Sequence, residues 1–137
     1  MQIQIINLAP MASPRPRFSK FGTYMPADYT RWKKAFLSEW QKFKAKKIEK
    51  HVPIKVEILF HIQPPKSLAK VKKHQEALDM GTIPCVKKPD TDNYIKSVLD
   101  ALNGHAWVDD GQITELKAAK YYSLQPRVTI RIEELRC

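Results

Sequence analysis

The run Lys88-Pro89-Asp90-Thr91-Asp92-Asn93-Tyr94-Ile95-Lys96-Ser97-Val98-Leu99-Asp100-Ala101-Leu102-Asn103-Gly104 describes a helix with two unlike faces. Pro89 disfavours a helical Lys88, Thr91 or Asp92 can serve as N-cap, and Gly104 stands where a C′ glycine belongs, so the helix is predicted to begin close to Asp92. Ile95, Val98, Leu99 and Leu102 recur at i, i+3, i+4 and i+7 and so form the stripe that faces a core. Asp92, Lys96 and Asp100, spaced by four, share the opposite face. Asp90 lies on the extended lead-in and can aim its carboxylate at the same volume.

A capping aspartate with i,i+4 ion pairs occurs on many helices and contributes about 1 kcal/mol or less. That account covers Asp92, Lys96 and Asp100 but leaves Asp90 unexplained, and with it Asp109-Asp110, which follow Trp107-Val108 and precede Gly111. A short chain that returns from the helix exit toward the helix start would bring three or four carboxylates together. Like charges held that close raise one another's pKa unless a cation neutralises them. Hard oxygen donors of this kind suit Mg²⁺ or Mn²⁺, which keep open positions for phosphate oxygens.

Outward from this segment, alternation predicts strands at Ile3–Leu8, Ile54–Ile62, Ile113–Tyr122 and around Val128–Ile132, the last two forming an antiparallel hairpin. A long helix is predicted from an N-cap at Asp28 to about Lys50. Its stripe of Tyr29, Trp32, Phe36, Trp40 and Phe43 is either core or a dimer seam, and Lys33, Lys34, Lys42, Lys44, Lys46 and Lys47 occupy the opposite face. Ser67 can cap one short basic helix running to Asp79 and closed by Gly81. The residues 9–26 form a proline-rich loop in which Arg15, Arg17 and Lys20 alternate with Phe18, Phe21 and Tyr24. Such a loop either touches phosphates and stacks on bases, or pins itself to the core by its aromatics. These elements make one α+β domain over residues 1–137, a mixed, largely antiparallel sheet covered by helices.

The charge is uneven. The chain carries 24 Lys and Arg against 14 Asp and Glu, a net of +10, divided as +8 over residues 1–50, +4 over 51–88 and −2 over 89–137. A basic surface suits a polyanion, while acids gathered in its least basic third suit a metal site. A hydrophobic share of 43% excludes disorder, and no apolar run approaches the roughly 20 residues needed to span a bilayer. The start of the chain lacks a secretory signal, so a cytosolic location without membrane contact is expected. Cys85 and Cys137 form no CxxC, His51, His61, His74 and His105 show no metal-ligand spacing, and no GxxxxGK loop indicates a nucleotide cofactor. Trp107 reads as core.

The blocks KPDTDNYIKSVLDALNG and WVDDGQI, with the PRPRF loop and the start of the long helix agreeing more loosely, resemble the RusA family of Holliday junction resolvases. The resemblance implies a Mg²⁺-dependent homodimeric endonuclease, often of phage or prophage, that nicks branched four-way DNA symmetrically in recombination and repair. It implies that Asp90, Asp92 and Asp110 are metal-binding catalytic carboxylates, that Lys96 is an essential lysine, and that Asp100 and Asp109 support them. Arg15, Arg17, Lys20, Lys87 and Lys88 would then contact phosphates. A PD-(D/E)xK nuclease does not fit, because Asp92 and Lys96 lie within one helical turn. Two readings from other classes remain: a non-catalytic nucleic-acid-binding module, and a metal-dependent phosphohydrolase of small esters, against which the extended basic surface argues.

Overall fold

The structure, a computed structural model, describes residues 2–135, so Cys137 lies outside the described residues. Strands β1 (Gln2–Ile6), β4 (Ile54–Ile62), β5 (Ile83–Pro84), β6 (Ile113–Tyr122) and β7 (Arg127–Glu134) form one sheet in the order β1-β7-β4-β6-β5. Only β4 and β6 pair in parallel; β1–β7, β7–β4 and β5–β6 are antiparallel. A short hairpin of β2 (Arg17–Ser19) and β3 (Gly22–Tyr24) stands apart from that sheet. The α+β class with a mixed, largely antiparallel sheet is therefore the observed architecture.

The hairpin expected between β6 and β7 does not form, because β4 lies between them. The strict apolar alternation of Ile54, Val56, Ile58 and Phe60, all buried, makes β4 the centre of the sheet, with partners on both edges. The β6–β7 connection crosses past the end of β4, where the Ser123 amide donates to the Ile62 carbonyl at 3.0 Å. Being parallel, β4 and β6 require a crossover, and that crossover carries the helix from the motif.

Helix α1 (Ala27–Gln41) is shorter than its sequence suggests. Pro26 is its N-cap, while the Asp28 carboxylate accepts only the neighbouring Tyr29 amide at 2.9 Å. Past Gln41 the chain turns, with Lys44 at φ 53°, and Ile48 docks its amide on the Ala106 carbonyl beneath Trp107. Phe43, Lys46 and Lys47 thus lie outside the helix. Tyr29, Trp32, Phe36 and Trp40 are buried in the same core as the β4 residues, which decides that the stripe is core and not a dimer seam.

The basic segment expected as one helix is three pieces: α2 (Lys66–Ala69), a 3-10 turn at Lys72–His74, and α3 (Gln75–Met80). The extended backbone of Val71 (ψ 112°) breaks it. Leu78 anchors the segment in a second small core with Cys85 and Tyr122. The motif helix is α4 (Thr91–Leu102), packed on α1 and β6 with Tyr94, Val98, Ala101 and Leu102 buried. No helix among the described residues is long and apolar enough to cross a membrane.

Candidate active site

Asp90, not Thr91 or Asp92, is the N-cap residue of α4, yet its side chain takes no part in capping. Its carbonyl instead receives the Asn93 and Tyr94 amides, at 3.1 and 3.4 Å. The carboxylates of Asp90 and Asp92 are exposed and have no hydrogen bond or ion pair among the described residues. Both stand at the positive end of the helix, where an anionic side chain is favoured. The ion pairs expected among Asp92, Lys96 and Asp100 are absent among the described residues, and Lys96 points an unpaired ammonium into solvent from the next turn.

Asp100 serves instead to join two helices, since its Oδ2 accepts the Tyr29 hydroxyl at 2.9 Å and ties α4 to α1. Burial pushes the Tyr29 phenol up to about 12; a hydrogen bond with Ser13 opposes the rise, and the Asp100 carboxylate adds to it. Asp109 caps the 3-10 turn Asp110–Gln112, accepting the Gly111 amide at 3.0 Å in a capping box with Gln112. Asp110, half-buried, accepts the indole N–H of the fully buried Trp107 at 2.7 Å. Burial raises its pKa; the indole opposes this, while nearby Asp100 and Asp109 add to it.

The structure thus brings Asp110 together with Asp100 and Asp109, and holds Asp90 and Asp92 at the other end of α4. The expected meeting of three carboxylates at one point is not seen: among the described residues no three His, Cys, Asp or Glu side chains form a group able to hold a metal ion. The chemistry of the donors nonetheless fits a hard divalent cation. Asp90 and Asp92 are unpartnered, and Asp110 is a desolvated acid among acids, a charge distribution that a cation relieves.

Two residues that the sequence did not single out position these acids. Gln112 is buried and uses all its polar capacity: Oε1 accepts the Val108 and Asp109 amides at 2.9 and 3.0 Å, and Nε2 donates to the Glu49 and Val52 carbonyls at 2.7 and 3.1 Å. It locks the Asp110 turn to the chain leaving α1. Lys120 donates from Nζ to the Lys87 and Pro89 carbonyls, each at 2.7 Å, on the lead-in to Asp90. In the sequence Lys120 shows only as a charge among Ala118, Ala119, Tyr121 and Tyr122, and Gln112 only as one more polar residue after Asp110-Gly111.

Arg15, Arg17, Lys20, Lys87 and Lys88 are all exposed. Phe18 and Phe21 are 83% and 90% exposed on the β2–β3 hairpin, so its aromatics do not pin it to the core. Lys20 Nζ sits 5.1 Å from the Phe21 ring. The stem of this loop is fastened beside the acids by the Ser13 amide, which donates to the Asn93 carbonyl in the first turn of α4 at 2.9 Å.

A Bacillus subtilis (strain 168) protein, "Uncharacterized protein YqaN", is 40% identical over 83 residues, which is 61% of this chain and 58% of that protein. The chain therefore spans a little over half the length of that relative. Residues 7–133, nearly the whole described fold, match the family described as "Endodeoxyribonuclease RusA", and the chain belongs to that family.

Proposed function

We propose that this protein is a divalent-metal-dependent endonuclease that resolves four-way DNA junctions by paired nicks. The observation that carries the reading is the pair of unpartnered carboxylates, Asp90 and Asp92, at the head of α4 in a chain of an endodeoxyribonuclease family. Asp90 and Asp92 would hold Mg²⁺ or Mn²⁺ at the head of α4, whereas Asp110, the third acid that the resemblance implies, stands at the other end of that helix. When bound, such an ion lowers the pKa of water and offsets charge developing on a phosphodiester. Lys96, one turn from Asp92 with no acidic partner, supplies a positive charge to the phosphate. Arg15, Arg17, Lys20, Lys87 and Lys88 hold the flanking backbone, so recognition rests on shape and phosphate positions.

Two nicks in strands of like polarity call for two sites related by a two-fold axis, and hence for a homodimer. With the aromatic stripe spent inside the protomer, the pairing surface would be the sheet face opposite the helices. There Ile3, 61% exposed, lines a cavity of about 270 Å³ with Leu59, Ala119 and Thr129 among the charged Glu57, Lys117 and Arg131, and Ile5, 51% exposed, pairs with Thr129 across the strands.

The test is cleavage of labelled four-way junction and matched linear duplex, with Mg²⁺ or with EDTA. Symmetric nicks in the junction alone, absent with EDTA and reduced by at least about 100-fold in Asp92→Asn with binding retained, are expected. Equal cutting of the linear duplex would refute structure selectivity, and junction binding without any cleavage would leave a non-catalytic binding module.

A further inference from the structure

Lys120 is a half-buried charge in a row of the sheet whose other members are apolar. Strand register places it opposite Phe60, in the same row of β6 as Leu116, Ala118 and Tyr122, on the face toward the helices. Its ammonium has no carboxylate partner among the described residues; it donates instead to two main-chain carbonyls, those of Lys87 and Pro89. Its own carbonyl accepts the Cys85 amide at 3.1 Å. One residue therefore grips alternate positions of a five-residue stretch that bends over Lys87–Pro89, at 85, 87 and 89. Asp90 follows immediately as the N-cap of α4.

Fixing a lysine side chain forfeits rotamer entropy. Charge-assisted bonds to two carbonyls at once offset that loss, and they set a direction as well as a distance. Without them the exposed stretch 86–89 would be held through its neighbours: β5, two residues long, and the buried Cys85, whose amide bonds β6 and whose Sγ reaches the Lys87 carbonyl at 3.8 Å. The carboxylate of Asp90 makes no hydrogen bond of its own, so only its backbone determines where it points.

We propose that Lys120 is a positioning residue of the cleavage site: by clamping the Lys87 and Pro89 carbonyls it aims the Asp90 carboxylate and fixes Lys87 and Lys88 for phosphate contact. This rests on the nuclease reading above. The experiment compares wild type, Lys120→Met, which keeps the stem and loses the donors, and Lys120→Arg, which keeps donors. Three quantities are measured: Mn²⁺ affinity by calorimetry without DNA, junction affinity in EDTA, and single-turnover cleavage. Loss of an outer-shell partner typically lowers metal affinity or activity about 10- to 100-fold. Lys120→Met is expected to lose about that much in both Mn²⁺ affinity and cleavage, with junction binding weakened less than about 5-fold and Lys120→Arg recovering part of both. Wild-type Mn²⁺ affinity and cleavage in Lys120→Met would overturn the proposal. Should Lys120→Met fail to fold, Lys120→Gln replaces it, and failure of both to fold overturns the proposal in favour of a purely structural lysine. If wild type cuts no DNA while Lys120→Met still loses Mn²⁺ affinity, the nuclease reading falls and the positioning role stands.

Discussion

The residue on which the acidic turn most depends is not an acid. Gln112 satisfies two amides and two carbonyls that the fold places against it. Leaving buried polar groups unpaired costs about 1–3 kcal/mol each, less where water enters. Gln112→Ala is therefore expected to destabilise the protein by about 3 kcal/mol, read as a lower urea midpoint at unchanged slope, and to reduce cleavage because the Asp110 turn loosens. A variant as stable as wild type would show that the four bonds carry no net energy. The sequence displays Gln112 only as one polar residue after Asp110-Gly111; the two carbonyls it donates to, of Glu49 and Val52, lie about 60 positions earlier, which no local pattern encodes.

At the scale of elements, the joint between α3 and β4 makes two predictions. Gly81 ends α3 at φ 68°, and a Cβ there would run into the His61 imidazole at Nε2. His61 is buried against Gly81, so Gly81→Ala combines left-handed strain of about 1–2 kcal/mol with a clash. Gly104→Ala, at φ 81° with open space around it, incurs the strain alone. Thermal melts should show Gly81→Ala as the more destabilising of the two by at least about 1 kcal/mol. Burial, aided by the charge of Arg127, holds the His61 pKa below its ordinary 6.5 against an opposing hydrogen bond with Gly81. A depressed imidazole favours the folded state fully above the unfolded value, and its contribution fades as pH falls below about 6.5 toward the folded value, because the unfolded chain then binds the proton first. Between about pH 7.5 and 5.5, urea midpoints should fall less in His61→Gln than in wild type. Equal falls would mean that another group carries the acid sensitivity.

For the whole molecule, the distribution of charge and of bare apolar surface governs behaviour. If residues 1–88, with their excess of +12, hold the DNA backbone, affinity for a junction should drop steeply with salt, by about 10³ between 50 and 200 mM for six or more phosphate contacts. A log–log slope near zero would argue against the basic surface as the binding face. The bare sheet face predicts dimers at low micromolar concentration in sedimentation. Ile5→Glu, an exposed substitution, should yield folded monomers that nick one strand without the paired cut; a dimer unaffected by that change would place the pairing surface elsewhere.

What the sequence determined by itself is what local pattern can carry. Period-two alternation located β4 and the strands around it, the i, i+3, i+4, i+7 stripe located α4, and the two acidic blocks located the family and its candidate acids. Tertiary structure decided everything that depends on who lies beside whom. It put β4 between β6 and β7, since an apolar strand gains most from pairing on both edges. It turned the aromatic stripe of α1 inward, ended that helix at Gln41 so that Ile48 could reach Trp107, and set Asp110 by Asp100 rather than by Asp92. Lys120 and Gln112 became visible only there, because a side chain's hydrogen-bond partners are fixed by packing between distant segments, on which sequence spacing is silent.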